Sequence, residues 1–340
     1  MSEKRTEIEG TGEFRLIQKL TSNFINRQSS TLKGIGDDAA VISISDTHAM
    51  VISTDSFLEG VHFNLMYTPF KHLGYKCVVA AISDVIAMNV VPQQIVISVA
   101  VSNRFPIEVL EELYEGIHTA CDVYTLDLVG GDTNPSVSGM QISITTVGTA
   151  KKEQIVYRDT AKENDLIVVT GDLGAPYMGL QILEREKEVF KANPGIQPDL
   201  EGNDYLLERQ LKPEARKDIL RFLEELKVKP TAMIDLSDGL ASDLFQICEA
   251  SGLGCSVYDE KIPIDAKTSM AAIDFNIDPV TAALNGGDDY ELLFTIALSD
   301  YDKIKGNPHM TVIGHMADAA SGKLFIDKNG SVVPLKAQAW

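Results

Sequence analysis

The stretch that most constrains this chain is Lys71 to Met88, a largely apolar helical pattern into which one acid, Asp84, is set. Its neighbours at helical spacing are Ala80, Ala81, Ala87 and Met88, so this face has to be buried. A buried, unpaired carboxylate costs several kcal/mol, and Asp84 therefore needs a cation, a network of donors or a proton. The longest apolar run here, Cys77 to Ile82, ends at Ser83 and Asp84, far short of the roughly 20 residues that span a bilayer. No membrane segment is expected.

Around this helix strands and helices alternate. Ala49 to Ser53 reads as a buried strand, Gln94 to Val101 as an alternating strand and Pro106 to Cys121 as an amphipathic helix. After Lys151 and Lys152 come a strand at Leu166 to Thr170, a helix near Tyr177 to Glu184, a strand at Ala232 to Ile234 and a helix from Asp238 to Ala250, with Gly252 as its C-cap. No repeat of 20–50 residues is visible. The expected class is α/β or α+β. A length of 340 residues favours two domains, 1–150 and 151–340, with a cleft between them. Arg185 to Leu211 is rich in charge and holds Pro194, Gly195, Pro198 and Gly202, so it reads as an exposed connection or lid.

Acids recur where these strands end. Asp55 follows the run 49–53 through Thr54, Asp132 follows Leu128-Val129 through Gly130-Gly131, and Asp235 follows Ala232-Met233-Ile234 directly. Any one of them could be a helix cap or a turn residue. Three strands delivering Asp to one sheet edge point to a shared site, because ligands bind outside the carboxyl ends of strands in open α/β sheets. Gly34-Ile35-Gly36-Asp37-Asp38 and Gly286-Gly287-Asp288-Asp289 add acids on flexible turns. Oxygen ligands of this kind suit Mg²⁺, which also takes substrate phosphates.

The net charge of −19 argues against a nucleic-acid partner, whose affinity comes from Lys and Arg on phosphates. Bound magnesium would invert that electrostatics locally and let an acidic protein hold polyphosphate. Gly130-Gly131 and Gly171 to Gly174 follow strands, where backbone N–H groups can approach phosphate or simply make tight turns. Arg158, His62 and Lys76 are the positive candidates; an Arg after a strand more often lies on the surface, and a lone His is by default structural. Cys77, Cys121, Cys248 and Cys255 fall singly and read as buried reduced thiols. The polar start, Met1 to Arg5, does not read as a signal peptide, so a cytoplasmic location is expected.

Walker-type and protein-kinase motifs are missing, as are the zinc-protease His-Glu-x-x-His and the Gly-x-Ser-x-Gly elbow. Gly34-x-Gly36-x-x-Ala39 imitates a dinucleotide fingerprint, yet Asp37 and Asp38 would stand where pyrophosphate approaches, and Ser29 to Lys33 does not read as a strand. Ser237 has no obvious His partner and reads as a helix cap or as a phosphate or metal contact.

Taken together, Gly34 to Ala40, Ser53-Thr54-Asp55 with His62-Phe63, Ser83 to Met88, Gly130 to Thr133, Ile234 to Leu240 and Gly286 to Leu292 resemble the thiamine-monophosphate kinase family, in the expected order over nearly the whole chain. That family is part of the aminoimidazole ribonucleotide synthetase-like superfamily. The resemblance implies an N-terminal α/β domain that binds ATP and Mg²⁺ and dimerises through its strands, and a C-terminal α/β domain that completes the nucleotide and substrate site. By the same resemblance Asp38, Ser53, Thr54, Asp55, Asp84, Asp132, Asp235 and Asp238 match magnesium positions, Gly131, Asp132, Arg158 and Ser237 match ATP contacts, and His62, Asp288 and Trp340 match substrate-side positions. One departure stands out: position 288 is Asp where the family commonly has Glu, one methylene shorter.

The implied reaction is in-line transfer of the γ-phosphoryl of ATP to thiamine monophosphate, giving thiamine diphosphate in a homodimer that needs several Mg²⁺. A phosphate oxygen is already a competent nucleophile, so no side chain is expected to serve as nucleophile or base. Other ATP-using members of the superfamily are the nearest alternative. A magnesium-dependent phosphohydrolase would expect a second Asp where Ser56-Phe57 follow Asp55, and a noncatalytic binder of the EF-hand type would gather its oxygens in one loop.

Overall fold

The computed structural model describes residues 13–337, so Trp340 lies outside the described residues. The first part contains α1 (Glu13–Thr21), β1 (Thr31–Lys33), β2 (Ala40–Ser43), β3 (His48–Leu58), α2 (Phe70–Ala87), β4 (Pro92–Val101), α3 (Ile107–Tyr124), β5 (Asp127–Pro135) and β6 (Gln141–Lys151). Its six strands are ordered β1-β2-β3-β6-β4-β5. All pairs are antiparallel except β4 with β5, which α3 joins as the crossover a parallel pair requires. Thr31–Lys33 thus does form a strand, contrary to the sequence reading, but as an antiparallel edge against β2 and not the parallel strand of a dinucleotide fold.

Helices α2 and α3 cover one face of this sheet. Two glycines let them meet backbone to backbone: a Cβ at Gly74 would lie 2.0 Å from Leu113 O, and one at Gly116 would lie 1.9 Å from Lys71 O. Period-two alternation sends Ala49, Val51 and Phe57 of β3 into that core, together with Ile142 and Ile144 of β6. The opposite face carries Thr54, Ser56, Ser143 and Thr145, and β5 is exposed along its entire length.

The second part contains β7 (Leu166–Thr170), α4 (Ala175–Ala192), α5 (Asp204–Leu211), α6 (Lys217–Glu225), β8 (Ala232–Asp235), α7 (Leu240–Ser251), β9 (Gly254–Tyr258), α8 (Ala266–Asp274), α9 (Pro279–Asn285), β10 (Leu292–Ile296), α10 (Tyr301–Ile304), β11 (Met310–Ala317), β12 (Lys323–Ile326) and β13 (Val332–Pro334). Seven strands run in the order β13-β12-β9-β11-β7-β10-β8, with β9 and β12 the parallel pair. Gly252 caps α7 in the left-handed conformation, as expected. The four cysteines are free and buried.

Helix α2 is the hinge of the design. Ile82 and Ile86 share one apolar cluster with Met233 of β8 and Phe294 of β10, so α2 is packed between the first sheet and the second. That double cover is why it is apolar almost all round.

The expected lid at 185–211 is largely regular structure. Helix α4 continues to Ala192 and α5 begins at Asp204, leaving only 193–203 as irregular chain. Leu206 and Gln210 of α5 are buried, as is Glu186 of α4, and Arg209 turns inward to Asp289 and Glu291.

Candidate active site

Three carboxylates converge where β3, α2 and β8 meet. Ligand oxygens of Asp38, Asp84 and Asp235 lie within 4.8 Å of one another. Asp38 arrives on the turn before β2, Asp84 from the last turn of α2, and Asp235 from the end of β8. Ser53 tightens the group by donating its hydroxyl to Asp84 and to Asp38 O, the latter at 3.2 Å. Ser83, one residue before Asp84, faces Asp235 and opposes the rise of its carboxyl.

Burial dominates the electrostatics, and like charges add to it. Asp84 is raised well above the usual carboxylate range by burial and then by Asp55, Asp235 and Asp38, with the Ser53 bond only partly opposing. Asp38 is pushed up to about 7, by burial first, against the Arg158 guanidinium. Burial likewise pushes Asp55 and Asp235 up to about 6. Four crowded carboxylates cannot all stay ionised without a cation, and Asp38 Oδ2 is buried with no hydrogen-bond partner. An oxygen-only set of this kind fits magnesium.

Arg158 corrects the surface expectation. It is buried and donates to Asp38 through its guanidinium and to Asp37 Oδ1 through its backbone N–H at 3.3 Å. Ser237 and Asp238 stand exposed on the loop after β8. Neither Ser237 nor Asp238 caps α7: the cap is Gly239, and Asp243, one turn on, accepts the N–H groups of Asp238 and Gly239 at 3.2 and 3.1 Å. The sequence reading missed Asp243, although an acid in the first turn after a Gly-capped helix start is a recognisable capping signal.

Two expected members do not join the cluster. Thr54 alternates with Ser53 and Asp55, so its hydroxyl faces away from α2 and sits 3.1 Å from Thr145 Oγ1. Asp132 belongs to the far edge strand. The register runs Ser56 to Ser143 to Ser98 to Asp132, three strands across and about 14 Å at the usual strand spacing, on the face opposite Asp55. Its carboxylate accepts from Thr133 N at 2.9 Å and Asn134 Nδ2 at 2.7 Å. Gly131, beside it, is required by close pairing, since a Cβ there would lie 2.1 Å from Ile97 O. Asp55 and Asp132 also sit inside their strands; only Asp235 ends one. The mostly antiparallel sheets therefore do not present the common carboxyl edge of a parallel sheet.

Next to the cluster lies a cavity of about 460 Å³, lined among others by Phe57, His62, Phe63, Lys76, Asp288 and Tyr290. Phe57 is two residues from Asp55 on the same face of β3, and the Tyr290 hydroxyl feels the charges of Asp288, Asp55 and Asp235. His62 Nδ1 accepts from Leu58 N at 3.0 Å, which orients the ring edge-on to Phe57. Asp288 is paired with Lys76 at 2.8 Å. At the mouth, Tyr67 donates to Glu184 at 2.8 Å and so ties the loop before α2 to α4. Tyr67 and Glu184 were not expected from sequence, being 117 positions apart.

Residues 36–150 match the family model for the N-terminal domain of AIR synthase related proteins. The thiamine-monophosphate kinase of Bacillus subtilis (strain 168) is 30% identical over 96% of this chain and 98% of its own length. That of Buchnera aphidicola subsp. Schizaphis graminum (strain Sg) is 34% identical over 94% and 96%. A solved structure of AaThiL complexed with AMPPCP and TMP superposes with a TM-score of 0.84 at 29% identity, covering 99% of each chain. With two sheets clasping one helix, a carboxylate cluster beside a cavity and this likeness over almost its full length, the chain belongs to the thiamine-monophosphate kinase family.

Proposed function

We propose that the protein transfers the γ-phosphoryl group of ATP to the phosphate of thiamine monophosphate, giving thiamine diphosphate and ADP. The observation that carries this reading is the nearness of an acidic cluster, Asp38, Asp84 and Asp235, to a cavity that is aromatic on its walls and carries two ion pairs, Lys76–Asp288 and Lys187–Glu184. Phe57, Phe63 and Tyr290 offer faces to a cationic heteroaromatic ring. The phosphate end of such a substrate then reaches toward Asp55 and Asp235.

Asp38, Asp84, Asp235 and Asp55 are the residues that would hold magnesium, with Asp238 at the lip. Magnesium bound there would neutralise charge on the transferring phosphoryl group. Arg158 holds Asp38 in place and Ser53 fixes Asp84, so these two are positioned before any ligand enters. No side chain has to remove a proton, because the accepting phosphate oxygen is already anionic near neutral pH.

Incubation with ATP, Mg²⁺ and thiamine monophosphate should release ADP and thiamine diphosphate one for one. ADP without thiamine diphosphate would point to another member of the superfamily, and no ADP would refute the kinase.

A homodimer is part of the same proposal. The open sheet face and the fully exposed edge β5, with Leu128 and Val129 turned outward, are the kind of surface a second copy covers. Light scattering should return twice the chain mass of 37.1 kDa; a monomer at working concentrations would remove the dimer without touching the kinase. A cytoplasmic location fits ATP as co-substrate and four free thiols.

A further inference from the structure

We propose that Lys76 is a specificity-determining positioning residue that acts through Asp288, fixing that carboxylate as the acceptor for an N–H group on the organic half of the substrate. This inference rests on the function proposed above. Its starting point is a lysine that the sequence offers as a phosphate contact and that instead donates to Asp288.

Lys76 is buried in α2, and a buried ammonium needs acceptors for its three donors. Nζ donates to Asp288 Oδ2 at 2.8 Å and to Gln210 O at 3.0 Å. The Gln210 side chain, with its amide oxygen toward Lys76 at 3.3 Å and its nitrogen donating to Pro176 O at 3.1 Å, takes the third. All three donors are used, which leaves none for a phosphate.

Asp288 is held from every side. Its second oxygen accepts from the Tyr290 hydroxyl at 2.9 Å, and its N–H donates to Ser237 O at 2.8 Å. The main chain is left-handed at Gly287, Asp288 and Tyr290, with φ of 70°, 58° and 50°. For the two residues with side chains this is a strained conformation, maintained only where the surroundings impose it. Yet 38% of the Asp288 side chain remains open, on the cavity side. A carboxylate has about four acceptor positions, so after Lys76 and Tyr290 are served the remaining ones point at the ligand.

Burial alone would raise Asp288, but Lys76 and then Tyr290 outweigh it and hold the carboxyl below its usual range, moderated by its opening to solvent. The Lys76–Asp288 pair is neutral overall. It therefore reads a directed N–H donor rather than attracting any cation, which is the property a specificity element needs.

The test is a double-mutant cycle on the full-length protein, with ATP, Mg²⁺ and thiamine monophosphate, over Lys76→Met, Asp288→Asn and the pair. Lys76→Met should raise KM for thiamine monophosphate by about 10–100-fold while KM for ATP and kcat change by less than about 3-fold. In the Asp288→Asn background the same substitution should add less than about 2-fold. Lys76→Gln, which keeps a donor for Asp288, should recover part of the loss and serves as the variant of record if Lys76→Met does not fold. An equal cost of Lys76→Met in both backgrounds, or a parallel rise in KM for ATP, would overturn the proposal, since a purely structural lysine behaves that way. Wild-type protein that makes no thiamine diphosphate overturns the proposed function and this inference together, whereas wild-type turnover with an additive cycle overturns the inference alone.

Discussion

Two buried charges on α2 meet the same problem in opposite ways. Toward its C-terminus Asp84 sits among Asp38, Asp55 and Asp235 and has hydroxyl help only from Ser53. Two turns earlier Lys76 meets Asp288, and every donor of the ammonium is satisfied. The first is a strained site that waits for a ligand of opposite charge; the second is complete in itself. One helix thus carries a site built to be neutralised from outside and a site neutralised from within. Under the proposed function, that contrast assigns phosphoryl chemistry to the first site and recognition of the substrate's organic part to the second.

The largest effect that would test this contrast comes from Asp84→Asn, which keeps shape and the Ser53 bond but removes the charge. Turnover at limiting Mg²⁺ should fall by about 10²–10³-fold, while the metal-free protein should melt higher because a buried repulsion is gone. Full turnover at limiting Mg²⁺ would break the metal role of this end of α2. The Lys76 substitutions have the opposite signature, a selective change in KM, and the comparison is sharpened if neither set borrows the other's.

A smaller effect follows from pH. In the metal-free fold Asp38 is pushed up to about 7 and Asp55 and Asp235 to about 6, from an ordinary value of 3.8. A carboxylate raised on folding binds its proton more tightly in the folded state, so stability is lost as pH rises from about 4 through about 7. By calorimetry, metal-free protein should melt on the order of 5–10 °C higher near pH 5 than near pH 8. Magnesium should raise Tm more near pH 8, where its ligands are ionised. Equal melting temperatures without metal would mean that the cluster is not an uncompensated one.

Much of this was legible before any coordinates. Apolar periodicity located α2, β4, β7 and β8 to within a few residues, and the oddity of an acid on a buried helical face singled out Asp84. The face of Thr54 was not legible, because the expected strand stops at Ser53 whereas β3 continues to Leu58 and its alternation sets Thr54 opposite Ser53 and Asp55. Asp132 was not: its distance from Asp55 depends on the sheet order β3-β6-β4-β5, which inserts β6 and β4 between them, and spacing along the chain carries no record of that order. Arg158 looked like a surface residue because its two acidic partners lie some 120 positions earlier, on a turn that only folding brings beneath it.

By itself the sequence determined the main apolar elements α2, β4, β7 and β8, though not β1 or the helices within 185–211, that Asp84 had to be compensated, and which motif acids were candidates, because these follow from local periodicity and from the cost of burying charge. Tertiary structure alone decided that Asp38, Asp84 and Asp235 meet while Asp132 does not, and that Lys76 spends its donors on Asp288, 212 positions away, instead of on phosphate. Such pairings depend on how two sheets close around one helix, and that closure is set by the packing of the whole core and not by any single stretch of chain.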